Sequence, residues 1–588
     1  MTLSLVDALT GSPTQLADTV TAHTLLNCLL REVSAPERQV TVAERHLLLR
    51  LPRCGVLLRV PLRRVSMIGA HRFGGPVERH EGSIWSRLGW EELAALIRNE
   101  LALRTGADNG EFLGQVAASR ETIRAVLEAR THQQPSLPDT DADTDANANA
   151  DANANANANA YIASEQSLVY GHRFHPTPKA RTGEPEEWLR YGPEAGARFP
   201  LRCLAVRADL LYGDGDHRAL DQWGTEVEPG FAVLPAHPWQ YRMLTEQHLA
   251  LRAALARGDV VDHGLVGPHV APTASVRTVY EPDGDVFLKF SLNVRLTNCV
   301  RKNAWYELAG AVLLNRIVQP VFVALSERFP GCAMLAEPGY RSIRLGEGLG
   351  EGPDDREILE GLGVIVREGL GRHLLPGVTP LLAAAVADEY PTSTAHISYL
   401  LARGDGDPLA WWDAYLGLLL PPVLAAYFEY GVVLEPHLQN VVVGVRADGS
   451  PAQVLFRDLE GTKLVPEHHR DALAVVDEEV RGPFSYSAQR GWDRVAYCLL
   501  VNHVAEMVAA LADVSPELEP ALWGLVRDHL ASYAQSVGHP PRLRALLSGV
   551  PLPAKANLLL RWARQADRHA GYVPLPSPLG ADFPRDTP

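Results

Sequence analysis

Three stretches of this chain gather residue types that handle phosphate and carboxylate groups. The first is TASVRTVY (273–280) and VFLKFSLNVR (286–295), two alternating runs joined across Asp283-Gly284. A turn signal between alternating runs predicts a β-hairpin. Ser275 and Arg277 are two residues apart, so on a strand they share a face. Lys289 stands between Leu288 and Phe290, and a cation in such a run is costly unless an anion pairs with it. A surface hairpin with a solvated polar face is the plain alternative. The second stretch, Thr297-Asn298-Cys299-Val300-Arg301-Lys302-Asn303, lies where a strand should hand over to a helix. Backbone N–H groups at a helix start, with an Arg able to grip two oxygens, make a natural anion site. Simple capping with solvated charges is the other reading. The third is Glu435-Pro436-His437-Leu438-Gln439-Asn440 followed by Arg457-Asp458-Leu459-Glu460-Gly461. It looks distantly like a kinase catalytic loop and its metal-binding Asp, where an Asn and an Asp hold Mg²⁺ against nucleotide phosphates. A kinase loop also carries an Asp that takes a hydroxyl proton. No Asp lies between His437 and Asn440. A carboxylate nucleophile, already ionised near pH 4, needs no such base.

Two further segments are less decisive. Gly171-His172-Arg173-Phe174-His175-Pro176, with Lys179 and Arg181, suits an anion better than a metal, because cations crowd the two histidines and no third ligand is spaced for one. Either histidine could equally be structural. In His237-Pro238-Trp239-Gln240, Trp239 reads as structural and His237 stays open.

The elements that must position these groups can be outlined. Helical apolar spacing covers 15–33 and 90–130, and strand-like alternation covers 38–69. Residues 139–160, DTDADTDANANADANANANANA, lack apolar periodicity and read as a disordered linker or insertion. Residues 231–240 resemble a strand ending at a Pro-rich corner. A helix follows the hairpin at KNAWYELAGAVLLNRIVQPVF, with Asn298 or Asn303 near its start. Beyond residue 350 helices dominate, around a short strand pair that carries Glu435–Asn440 and Arg457–Gly461. The apolar run 414–428 is too short to span a bilayer and contains Pro421 and Pro422, so a buried helix pair broken at the prolines is expected.

A chain of 588 residues exceeds one core and implies two to four domains. Its 46% apolar and 21% charged composition is that of an ordinary globular protein. A net charge of −15 argues against general nucleic-acid binding, which needs a basic face. The cysteines Cys28, Cys54, Cys203, Cys299, Cys332 and Cys498 are scattered, as expected of reduced thiols in a cytoplasmic protein. The N-terminal residues lack the basic and apolar regions of a signal peptide.

Taken in order, SEQSLVYGHRFHPTPKARTG, LPAHPWQ, TASVRT, LKFSLNVRLTNCVRKN, EPHLQNVVV and RDLEG resemble the IucA/IucC family of NRPS-independent siderophore synthetases. The resemblance runs from about residue 161 to the C-terminus. It implies a multi-domain α+β fold shaped like a cupped hand: a thumb (1–138), the linker or insertion (139–160), fingers with an antiparallel sheet (161–350), and a mainly helical, distantly kinase-like palm (351–588). It implies adenylation of citrate or a related polycarboxylate with ATP and Mg²⁺, release of pyrophosphate, and displacement of AMP by an amine or alcohol. It implies ATP contacts at His172, Ser275, Arg277, Lys289, Asn298, Gln439 and Asp458. The acid would meet Thr297, Arg301, His437 and Lys555, and Glu435, Asn440 and Asp458 would hold the metal. Arg301, His437 and Lys289 would be catalytic. A cytoplasmic homodimer acting on small molecules, with no nucleic acid or membrane partner, is expected. A kinase-like phosphotransferase releasing ADP, or a non-catalytic relative, are the competing readings.

Overall fold

The structure, a computed structural model, describes residues 10–132, 150–346, 353–565 and 571–580, apart from positions 182, 184, 222, 224–225, 297–298 and 393–395. It mixes helices with largely antiparallel sheets.

The N-terminal region folds as expected from its periodicities. Strands His46–Leu51 and Val56–Arg64 alternate buried with partly or fully exposed residues, and their inner face packs on helices Pro13–Leu29, Trp90–Thr105 and Phe112–His132. Leu25, Leu49, Leu58, Ile97 and Phe112 fill that core. Leu558 and Trp562, from the far end of the chain, complete it. Glu32 accepts hydrogen bonds from the Leu558 and Leu559 N–H groups at 2.9 Å each, which caps the start of helix Asn557–Trp562.

The second core lies against an eight-stranded sheet. Its order is Leu211–Gly215, Gly339–Ile343, Val364–Glu368, Val286–Phe290, Thr278–Glu281, Val260–Pro272, Phe199–Arg207 and Phe231–Ala236. The predicted hairpin is present, with Thr278 opposite Lys289. Val286–Phe290 sits mid-sheet, pairing on its other side with Val364–Glu368, so all five residues are buried instead of alternating. The strand expected to reach residue 295 breaks at Ser291. Its hydroxyl donates to the Glu360 carbonyl at 2.5 Å and accepts from Asn303 N–H at 2.7 Å. A new strand, Leu292–Leu296, then pairs with Cys299–Arg301. The sheet extends to Glu368, past residue 350.

The third and largest core surrounds a four-stranded sheet of Cys332–Met334, Pro451–Phe456, Val441–Val445 and Thr379–Leu382. Two expectations fail here. Helix Pro408–Phe428 runs unbroken through Pro421 and Pro422. An interior proline costs about 3 kcal/mol or more. Full burial of Trp412, Tyr415, Leu416, Leu419, Leu420, Val423 and Leu424 offsets it at about 1.5–3 kcal/mol for each aliphatic side chain. Residues 150–160 are helical, the opening turns of Ala150–Gln166, where disorder was expected through residue 160. The rest of that tract lies outside the described residues. Alanine is the strongest helix former, and Ala158, Tyr161 and Ile162 dock against Ala271, Tyr280 and Phe287. That docking draws the helix back into the polar tract.

Helices Trp305–Arg328, Pro408–Phe428 and the stretch Ala488–Val514 are long and apolar enough to cross a membrane by length and composition alone. Half or more of each apolar window is buried within the fold.

Candidate active site

Ser275, Val276 and Arg277 lie in the turn between Val260–Pro272 and Thr278–Glu281, where a strand face was expected. Local hydroxyl bonds compete with the ladder. Thr273 donates to the Thr278 carbonyl through both its N–H and its Oγ1 at 2.9 Å, and Ser275 Oγ accepts from Thr278 N–H at 3.2 Å. Val276 takes φ = 68°. A β-branched residue in the left-handed region costs about 1–3 kcal/mol, so the surrounding contacts must impose it. Glu165 supplies one of them, accepting from Ala274 N–H at 2.8 Å. The turn directs Arg277 inward, where it donates to Asn303 Oδ1 at 2.8 Å and pairs with Glu460.

Lys289 is 2% exposed and has the anions its environment demands. It pairs with Asp458, and its Nζ is 2.7 Å from Glu460. Burial works against the ammonium, yet the two carboxylates outweigh it and raise its pKa. Burial likewise opposes both anions, but Lys289 and Arg367 hold Asp458 far below the usual carboxylate range, and Arg277 and Lys289 hold Glu460 at about 2. Arg367 reaches Asp458 at 3.3 Å while donating to the buried Glu337 at 2.5 and 2.9 Å. Asn303 stands next to the helix start as expected, immediately before the N-cap. It is also fully buried behind this cluster, donating to the Lys289 and Gly363 carbonyls at 3.2 and 3.1 Å. The helix N-cap is Ala304, whose N–H donates to Glu307 at 2.9 Å.

The opposing wall is the Glu435–Asn440 loop. Asn440 N–H donates to the His437 carbonyl at 2.8 Å, and Asn440 Nδ2 donates to the Glu435 carbonyl at 3.2 Å. Arg457 ties the loop to the turn across the cavity. Its guanidinium donates to the Gln439 carbonyl at 2.7 and 3.0 Å and pairs with Glu165 and the Tyr161 hydroxyl. Glu165 thereby links the loop to Ala274. Asp458 follows with φ = 77°, a left-handed conformation that Asp tolerates better than most residues. Glu435 is held by Arg494 at 2.6 Å.

Beneath the loop, His503 is fully buried. Its Nδ1 lies 2.8 Å from the Pro436 carbonyl, which only accepts, so Nδ1 carries the proton and Nε2 accepts from the Tyr415 hydroxyl at 2.7 Å. Burial lowers its pKa to about 4. An unfolded histidine titrates near 6.5, so the stability this neutral ring contributes is full above pH 6.5 and lost as pH falls toward 4. His503→Gln retains a donor but cannot titrate. Between pH 7 and pH 5 its stability, followed by urea titration, is expected to fall less than wild type, by about 2 kcal/mol. Burial also lowers His437 to about 4, so it presents a neutral ring to the cavity.

These walls enclose a cavity of about 1290 Å³. It brings together His172, Ser275, Arg277, Lys289, Glu435, His437, Gln439, Asn440, Asp458 and Lys555 of the residues singled out in the sequence. Thr297 and Asn298 lie outside the described residues, and only the backbone of Arg301 is described, opposite Leu292. His172 Nδ1 accepts from Phe174 N–H at 3.0 Å, so its Nε2 donates to Asn502 at 3.2 Å. The other cations of that segment are spent internally: Arg173 on Glu389 and Glu506, Lys179 and Arg181 on Glu194. His237 is a helix N-cap, accepting from Trp239 N–H at 3.3 Å, and Trp239 packs on Trp188.

Arg367, Lys463, Arg494 and Asn502 also line the cavity and escaped the sequence reading. Arg367 stood in VIVRE, an apolar run interrupted by a cation, the same signal that marked Lys289. The other three carry no local signal, because distant elements deliver them.

Comparison with known proteins bears on this arrangement. A sequence model of the IucA / IucC family matches residues 160–388, which carry the turn, Lys289 and Arg367. The chain is 28% identical to the rhizobactin siderophore biosynthesis protein RhbC of Rhizobium meliloti, over 96% of this chain and 97% of the relative. It is 29% identical to the L-2,3-diaminopropanoate–citrate ligase of Staphylococcus aureus, over 71% of this chain and 74% of that one. The solved structure of ATP-bound aerobactin synthetase IucA from Klebsiella pneumoniae superposes with a TM-score of 0.76 at 26% identity, covering 96% of this chain and all of that one. Over residues 160–388 the chain matches the IucA/IucC family, and its full-length relatives are siderophore synthetases and citrate ligases. Residues 409–570 also match a model described as ferric iron reductase FhuF-like transporter.

Proposed function

We propose that this protein is an ATP-dependent siderophore synthetase that adenylates a carboxylate of citrate, or of a related polycarboxylate, and condenses it with an amine or alcohol. AMP and pyrophosphate leave. One observation carries the reading: Lys289, Arg277 and Arg367 converge on Asp458 and Glu460 in a cavity whose other wall is a loop with no acid between His437 and Asn440. The ATP-bound relative and the citrate ligase support the two substrates.

A triphosphate and a polycarboxylate repel at close range by about 4 kcal/mol for each unit-charge pair at 4 Å. Arg277 and Lys289, held in place before substrate arrives, offset that repulsion. They also stabilise charge moving onto the pyrophosphate. Ser275, His172, Gln439 and Asn298 complete the ATP contacts in this reading. Thr297, Arg301 and Lys555 take the acid, and neutral His437 offers it a hydrogen bond without a second charge. Mg²⁺ fits the oxygens present. Asp458 Oδ2 and Asn440 Oδ1 have no hydrogen bond among the described residues, and Glu435 is adjacent in the loop. Among the described residues no three His, Cys, Asp or Glu side chains form a cage, which suits a cation that takes most of its ligands from phosphate and water. When bound, the ion neutralises phosphate charge.

The same reading divides the chain into a thumb, fingers extended to Glu368, and a distantly kinase-like palm in which Asn440, just before one strand, and Asp458, just after its antiparallel neighbour, lie at the same end of the pair. It places the protein in the cytoplasm as a homodimer with no nucleic-acid or membrane partner.

The test is ATP–pyrophosphate exchange across citrate, 2-oxoglutarate and succinyl-amines. Carboxylate-stimulated exchange and AMP in the spent nucleotide are expected. ADP as the product would replace the ligase with a phosphotransferase, and no exchange with any acid would end the proposal.

A further inference from the structure

The second half-reaction needs a proton acceptor, because an amine at neutral pH arrives as an unreactive ammonium. A useful base must line the cavity, lie near the cations that hold the acyl phosphate, and be free of an ion pair that fixes it as an anion. Among the described carboxylates lining the cavity, all but Glu307 and Asp388 are held in ion pairs. Asp388 accepts from Tyr390 N–H at 3.3 Å and faces Glu389, Lys179 and Arg72. Glu307 sits in the first turn of Trp305–Arg328, just after the strand that carries Arg301. It faces Arg277 from the turn, Lys289 from the sheet, Glu460 from the short helix Leu459–Gly461 and Lys463 from the strand beyond. One carboxylate oxygen is fixed by Ala304 N–H at 2.9 Å, and the other has no hydrogen bond among the described residues.

We infer that Glu307 is the general base that deprotonates the amine nucleophile. The inference rests on the ligase reading above. The ammonium gives one proton to the free carboxylate oxygen. The nitrogen lone pair then forms the C–N bond to the acyl carbon, the C–O bond to phosphate breaks, and AMP leaves with that electron pair. The remaining surplus proton on nitrogen passes to solvent. Burial and the neighbouring Glu460 push the Glu307 carboxyl up to about 7, where it can both accept and release a proton.

A Glu at this helix position could instead be only a cap. Glu307→Gln separates the two roles, because Gln also satisfies the Ala304 N–H. Three rates are measured on purified wild type and variant. They are acid-dependent ATP–pyrophosphate exchange, hydroxamate formation with hydroxylamine (largely uncharged at neutral pH), and amide formation. Amide formation uses the fastest wild-type substrate from a panel of diamines, polyamines and diamino acids. In Glu307→Gln, exchange and hydroxamate formation are expected within about threefold of wild type. Amide formation at pH 7 should fall about 100-fold, and the limb near pH 7 expected of wild type should be absent from the variant. Glu307→Asp should recover part of it. Unchanged amide formation, or a parallel loss of exchange, would overturn the assignment. Absence of exchange in wild type would instead overturn the ligase reading itself.

Discussion

Lys289→Met is expected to lower acid-dependent ATP–pyrophosphate exchange by about 10²–10³-fold, a loss of about 3–4 kcal/mol of transition-state stabilisation. The side chain is 2% exposed, and Met fills its space. Removing one partner of a buried pair is ordinarily costly, because the other charge is orphaned. Here Arg277 still faces Glu460, and Arg367 still lies 3.3 Å from Asp458. The fold should therefore survive, which circular dichroism and thermal melting will check. The decisive comparison is the rise in melting temperature caused by ATP with Mg²⁺. It should be large in wild type and mostly absent in the variant. A variant that keeps its exchange rate would show that Lys289 serves only to neutralise Asp458 and Glu460.

Asp458→Asn should cost as much or more, about 10³-fold in exchange, while leaving the backbone in place. Asp458 has φ = 77°, and Asn is among the few residues that accept that conformation readily. Alanine there would confuse lost charge with added strain. The substitution removes the carboxylate that faces both Lys289 and Arg367. Without nucleotide, those cations are left partly uncompensated, so melting should begin earlier. With nucleotide, the dependence of the melting shift on Mg²⁺ should vanish while a weaker metal-free shift persists. Retention of a full Mg²⁺-dependent shift would remove Asp458 from the metal-holding set.

Much of this site was legible along the chain because its parts are local. A cation inside an apolar strand, the polar loops Glu435–Asn440 and Arg457–Gly461 beside two short strands, and a turn signal between alternating runs each span a few residues. The hairpin register that puts Lys289 opposite Thr278 follows from such short-range patterns. Failures arose where tertiary contacts outweighed local preference. Ser275 and Arg277 left the strand for a turn fixed by Glu165, more than a hundred residues away. Pro421 and Pro422 stayed inside a helix because its neighbours are wholly buried. The Asn-Ala tract became helical where Ala158 and Tyr161 found a core.

Residue order alone determined the chemistry on offer: which cations, carboxylates and amides exist, and that the loop before Asn440 lacks an acid. Only the folded chain decided which charges meet. Lys289 and Asp458 are 169 residues apart, and Glu165 and Arg457 are 292 apart. No local preference encodes such encounters, because they follow from which apolar faces bury one another. The packed cores settle that first, and the buried charges must then find partners or not be buried at all.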